Sequence, residues 1–154
     1  MNTFSQALGT KFNKDALRIR TFEFNGHTFK VRVPLTAESD AMFERLKTPD
    51  EAMVEKYYKE LNKDFTEPSD TVQITDNDVI IEGRSLRETA KSKVLIQARV
   101  TEMIKLLVPE DGGFDMSTVT YEMVDELFPF AIQMQMMELI GETVSPSYTA
   151  TKGK

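Results

Sequence analysis

The sequence predicts an α+β fold that is mainly α: a small N-terminal β-hairpin, with a second hairpin near residues 72–81 as an option, packed on a bundle of four to five helices. Three observations lead there. Residues 21–36, TFEFNGHTFKVRVPLT, set two short apolar alternations on either side of Asn25-Gly26 and stop at Pro34, the period-two pattern of strands around a tight turn. Beyond residue 36, apolar residues recur every three or four positions in segments opened by capping residues. At 154 residues the chain can also bury a core in one domain without a disulfide or a metal.

Residues 1–16 have little periodicity and read as a loose arm with at most a helical turn. The hairpin follows. Asn25-Gly26 supplies the two positive-φ residues of a type I′ turn, which sets Phe24 opposite His27, Phe22 opposite Phe29 and Arg20 opposite Val31. Phe22, Phe24, Phe29, Val31 and Val33 then share one face. Leu17 and Ile19 fall on the other, so the parity predicts a bulge near Arg20-Thr21 or a strand that begins at Thr21. Two strands alone are marginal in water, and their apolar face must lie on helices or on another chain.

Thr36 can cap a helix over 37–47 with Met42, Phe43 and Leu46 on its buried side. Thr48-Pro49-Asp50-Glu51 combines an N-cap, a first-turn proline and a capping-box glutamate, ahead of Met53, Val54, Tyr57, Tyr58 and Leu61, and predicts a helix from 49 to about 62. Around Asp76-Asn77, Val72, Ile74, Val79 and Ile81 fall on one face if a turn forms; a hairpin or an irregular loop fits. Ser85-Leu86-Arg87-Glu88 is a second capping box, opening a helix that can run to about Leu107 before Pro109 and Gly112-Gly113. The last helix starts near Ser117 or Thr118 and runs to Gly141, with Pro129 either kinking it or starting a second helix. Residues 1–143 are thus expected to form one globular domain, and 144–154, VSPSYTATKGK, a flexible tail.

Zero cysteines exclude disulfides, thiolate catalysis and cysteine-ligated metals. His27 is the lone histidine and sits beside the hairpin turn, where an exposed strand-end role fits better than a ligand. No P-loop, dinucleotide fingerprint, nucleophile elbow or HExxH occurs. Asp76-Asn77-Asp78 lacks the spacing and glycine of a calcium loop. Catalytic, cofactor-binding and metal residues are therefore expected to be none, and the protein is expected not to be an enzyme. No stretch approaches the roughly 20 apolar residues that span a bilayer, and the opening MNTFSQAL lacks a secretory signal's basic start and apolar run. These predict a cytosolic protein without a membrane partner.

The net charge is -6, unevenly spread. Residues 1–34 carry six Lys/Arg against Asp15 and Glu23, a net of +4, so the other 120 residues carry -10. No basic residue lies between Lys105 and Lys152, a span with eight acidic ones. Solvation explains most such charge, while unlike ends on one small protein also suit head-to-tail contact between copies. The acidic remainder argues against nucleic acid, although Lys30 and Arg32 alternate with aromatic and β-branched residues. The segment FPFAIQMQMMELIG carries Phe130, Met134, Met136, Met137 and Ile140 around nearly every side of a helix. It reads either as core or as a surface that repacks against differing apolar partners.

The order strand, Asn-Gly turn, basic strand, then PLTAESD opening a helix, quoted in full as FEFNGHTFKVRVPLTAESDAMFERL, resembles the tail assembly chaperones of long-tailed, lambda-like siphovirus bacteriophages. The likeness covers residues 17–65 by pattern and the rest by size and helicity. It implies a protein of the infected host's cytoplasm, absent from the mature virion, whose copies associate with one another and with the tape measure protein and give way as the tail tube protein polymerises. Patterning, and not the resemblance, assigns Phe22, Phe24, Phe29, Val31 and Val33 to a self-association or client surface, and Phe130, Met134, Met136, Met137 and Ile140 to a second. The rival reading is a structural virion or tail adaptor protein with a permanent oligomeric interface.

Overall fold

The computed structural model describes residues 3–9 and 16–145. In chain order its elements are α1 (Thr3–Ala7), β1 (Ile19–Phe24), β2 (His27–Arg32), α2 (Thr36–Lys47), α3 (Glu51–Asn62), β3 (Val72–Ile74), β4 (Val79–Ile81), β5 (Arg84–Ser85), α4 (Leu86–Ile104), β6 (Leu107–Val108), α5 (Tyr121–Leu127) and α6 (Phe130–Val144). The fold is α+β, as the sequence predicts. The chain divides into two units, Met1–Ser39 with Thr101–Lys154, and Asp40–Val100. The proposed C-terminal tail lies, beyond Ser145, outside the described residues, as does much of the N-terminal arm.

In the first unit, Asn25 and Gly26 take φ of 53° and 79°, and the hairpin has the register the alternation requires, with Phe24, Phe22 and Arg20 opposite His27, Phe29 and Val31. The expected bulge is absent. Pairing runs unbroken back to Ile19 opposite Arg32, because Leu17 lies before the strand in a 3-10 turn (Ala16–Arg18), 69% exposed, and imposes no parity on it. The ladder continues past the strand, with the Val33 amide donating to the Arg18 carbonyl at 2.6 Å.

β6 was not foreseen. The helix expected to reach Leu107 stops at Ile104, and Leu107 and Val108 instead pair with Val31 and Lys30, giving the strand order β1-β2-β6. The swap satisfies backbone groups that β2 would otherwise present on an open edge. It also makes β2 central, and Val31 is fully buried.

α2 begins at Thr36 itself, one residue before the expected start at 37. The Ser39 amide donates to the Leu35 carbonyl at 2.9 Å, and Glu38 accepts from the Leu35 amide at 3.1 Å, so the Glu38 carboxylate, not the Thr36 hydroxyl, closes this end. Glu38 also binds Arg18, and Arg32 at 2.5 Å. Phe43, expected on the buried side, is 64% exposed, while Met42 and Leu46 are half-buried.

In the second unit the hairpin option holds. Val72 pairs with Ile81 and Ile74 with Val79 across a turn whose Thr75 hydroxyl accepts from the Asp78 amide at 3.0 Å. A third strand, β5, joins through Glu82-Gly83, both at positive φ (50° and 80°). That turn escaped the sequence reading because glutamate is a poor left-handed residue and gives no turn signal. Asp50 caps α3, accepting from the Ala52 amide at 3.0 Å, in place of the expected Thr48. Ser85 caps α4 as expected, its Oγ accepting from the Glu88 amide at 3.1 Å.

Val54, Tyr58, Val72, Val79, Leu86, Ala90 and Val94 form this unit's core. Burying such side chains stabilises by about 1.5–3 kcal/mol each for the larger ones. Arg87 lies 4.0 Å over the Tyr58 ring and pairs with Glu55. Asp78 accepts from the Val79 and Arg87 amides at 2.8 and 3.0 Å and from the Ser85 hydroxyl. Burial acts to raise the Asp78 pKa, but these donors and the Arg87 charge together hold it below the ordinary aspartate value.

Candidate functional site

The two apolar surfaces read from sequence lie more than 90 residues apart in the chain, yet both fall in the first unit, where α6 packs on β1 and β2. Each covers part of the other. Met136 and Ile140 are fully buried, as is Val31, so their assignment to exposed surfaces is corrected: they are core. The reason is the third strand, which closes β2, together with a helix whose apolar residues surround it and must be covered on the sheet side first. Phe22, Phe24, Phe29, Val33, Met134 and Met137 are half-buried, and Phe130 is 55% exposed.

What stays open is a cleft of 580 Å³ at the turn end of the hairpin. One wall is Phe24, Asn25, His27 and Phe29. The other is Leu127, Phe128 and Pro129 at the α5–α6 junction, then Ile132 and Gln135 on the first turns of α6. The hairpin wall is ordered by aromatic contacts. Phe22 stacks on Phe29 with centroids 5.3 Å apart, and the His27 ring meets Phe29 edge-on at 4.5 Å. Such pairs add about 0.5–1.5 kcal/mol beyond burial. His27 keeps the exposed, strand-end position expected of it, its Nε2 3.8 Å from a Glu110 carboxylate oxygen.

The helical wall is set by Pro129 and Gln133. Pro129 separates two helices, as one of the sequence options had it; α5 begins only at Tyr121, capped by Thr120, and Ser117 and Thr118 belong to a 3-10 turn (Met116–Thr118) before it. Gln133 is fully buried. Its Oε1 accepts from the Tyr121 hydroxyl at 2.8 Å, and its Nε2 donates to Asp125 at 3.0 Å and to the Phe128 carbonyl at 2.9 Å. The side chain thus uses its carbonyl and both N–H donors, and it fixes the bend that turns Leu127 outward. Leu127 is 71% exposed, an apolar side chain at the mouth of an apolar cleft.

Sequence reading did not find Leu127, Ile132 or Gln133 as functional. The signal available was the run Leu127-Phe128-Pro129-Phe130, apolar residues on both sides of a helix break, where a core helix would place a polar residue on its outer face. Acidic side chains surround this region in sequence: Asp125 and Glu126 precede Leu127, and Glu110 lies beside His27. Among the described residues no group of three or more His, Asp or Glu is placed to hold a metal ion, and no helix is long and apolar enough to cross a membrane. The arrangement is suited to holding an apolar segment by burial.

No protein-family model, no curated protein and no solved structure matches this chain.

Proposed function

We propose that this protein is a tail assembly chaperone of a long-tailed bacteriophage, associating with copies of itself and binding the tape measure protein to keep it soluble until the tail tube forms around it. One observation carries the reading: after hairpin and last helix have covered each other, an apolar cleft remains open, with Leu127 and Phe130 exposed at and beside it. An assembly factor of this kind needs adaptable apolar contacts, and the half-buried Met134 and Met137 of α6 are unbranched side chains that can repack. The resemblance of residues 17–65 to that family's strand, turn and helix order supplies the client.

Co-expression tests it. The soluble yield of the tape measure protein rises when this chain is supplied and falls back with a Leu127→Asp/Phe130→Asp double variant that itself stays folded. A client equally soluble without the chain overturns the reading. Purified virions discriminate the rival: a chaperone is missing from them, whereas a structural adaptor is present in fixed number.

A further inference from the structure

We infer that the outer edge of β1 pairs antiparallel with the same edge of a second copy of this chain, about a two-fold axis at Thr21, so that two sheets become one. The inference rests on the proposed self-association and gives it a surface and a register.

The sheet's hydrogen bonding fixes which backbone groups are open. Residues opposite each other in an antiparallel pair alternate between those that exchange hydrogen bonds and those that do not. The Val33 amide donates to the Arg18 carbonyl at 2.6 Å, so Arg20, Phe22 and Phe24 direct their backbone groups to β2. Ile19, Thr21 and Glu23 turn theirs away from it. On the far side of β2 the Arg32 amide donates to the Leu106 carbonyl at 2.8 Å, the same alternation carried to β6. Among the described residues β2 is the only strand paired with β1, and Thr21 and Glu23 are exposed.

The edge is also unblocked. β1 contains no proline or lysine, pairs without a bulge from Ile19 to Phe24, and has its one cation, Arg20, held by carbonyls at the end of α6. The sheet's other edge, β6, is only two residues long. A long strand edge without such blocks is a template for another strand.

A second copy is the occupant because the edge is complementary to itself. With Thr21 opposite Thr21, Ile19 of each copy meets Glu23 of the other, and every outward N–H and C=O of these residues gains a partner. Threonine pairs are favourable across a ladder, and Arg20 comes opposite Phe22, so no like charges face each other. The other two-fold registers are poorer. One centred on Phe22 sets Ile19 against Asn25 in the turn, and those centred on Arg20 or Glu23 oppose like charges. The contact is isologous and closes as a dimer.

Sedimentation velocity and amide hydrogen exchange of the full chain test the inference, with Thr21→Pro as the edge variant and Thr21→Val as its control. Proline is tolerated where an edge strand's N–H faces outward, and circular dichroism checks that both variants fold. The unmodified chain passes from monomer to dimer as concentration rises, and the Ile19, Thr21 and Glu23 amides become protected while those of Phe22 and Phe24, already bonded to β2, do not change. Thr21→Pro associates about tenfold or more weakly, the scale of the two hydrogen bonds lost at the axis, and Thr21→Val associates like the unmodified chain. A monomeric unmodified chain, a dimer whose edge amides stay unprotected, or undiminished association of Thr21→Pro overturns the inference. If Thr21→Pro does not fold, the exchange pattern of the unmodified chain decides. Client solubility is read in parallel: unprotected edge amides with the client still kept soluble sink the edge pairing alone and leave the chaperone reading standing.

Discussion

Arg20, on the same face of the hairpin as Phe22, donates from Nη1 to the Thr143 carbonyl at 2.9 Å and to the Ser145 carbonyl at 3.3 Å. A strand side chain therefore closes the C-terminal end of the helix packed on that strand. The last turn of a helix leaves carbonyls without intrahelical donors, and a cation there is favoured by the helix dipole as well. A charged residue on an otherwise apolar face is explained by this contact.

Arg20→Ala is expected to cost about 0.5–1 kcal/mol, the range for an exposed cation at a helix end. The loss should concentrate in the final turn of α6, where hydrogen exchange of the Thr143 and Val144 amides speeds up more than exchange at Met136. Equal acceleration along the whole helix would count against the capping role.

Glu38 should confer acid sensitivity on the join between β2 and α2. Burial acts to raise its pKa, while the Leu35 amide, the Arg32 hydrogen bond and the charges of Arg32 and Arg18 outweigh it and hold the carboxyl below its ordinary value of 4.5. A depressed folded pKa means stability that is fully present above the unfolded value and lost as pH falls through the folded one. The loss therefore begins below about pH 4.5. The carboxylate is 39% exposed, so solvent screening limits the effect to about 0.5 kcal/mol. Urea midpoints of the unmodified chain and of Glu38→Gln, compared at pH 7 and pH 3.5, should differ at pH 7 and converge at the lower pH.

Glu82 sits at φ 50° ahead of Gly83 at 80°, the conformation in which asparagine is favoured over glutamate. Glu82→Asn is expected to stabilise the second unit by about 0.5–1 kcal/mol through relieved backbone strain. Gly83→Ala, with the same turn and the opposite effect on strain, should destabilise by a comparable amount or more. Thermal melts of the two variants moving in the same direction would contradict this account.

Gln133→Leu keeps the volume and removes every polar group that the buried side chain uses. The Phe128 carbonyl then loses its Gln133 donor, and the Tyr121 hydroxyl keeps its 3.5 Å contact with Asp125, a cost of about 1 kcal/mol or more for the hydrogen bonds removed. Gln133→Glu should be worse, because it also brings a carboxylate beside Asp125. A denaturation midpoint unchanged in Gln133→Leu would show that the network does not hold the α5–α6 junction.

The hairpin was legible because its information is local. Asn25-Gly26 selects a turn, the turn selects the register, and the register selects which residues share a face. The same holds for the α4 cap at Ser85 and for the α3 apolar set from Met53 to Leu61. Errors came where two local solutions differ little in energy and a distant partner chooses. Thr48 and Asp50 can each cap α3. Leu107 can end a helix or extend a sheet, and it extends a sheet because β2 has an open edge.

By itself, then, the amino-acid order determined the hairpin and its register, the α+β class, the unlike charge of the two ends and the two apolar segments that need cover. It could not divide those segments into core and surface, since a pattern states which residues avoid water and not what will exclude it. Tertiary packing made that division: α6 on the β1–β2 hairpin buries Val31, Met136 and Ile140, and the proline bend held by Gln133 leaves Leu127 at the mouth of an open cleft. Burial depends on surfaces brought together from opposite ends of the chain, and only the folded arrangement decides where they stop meeting.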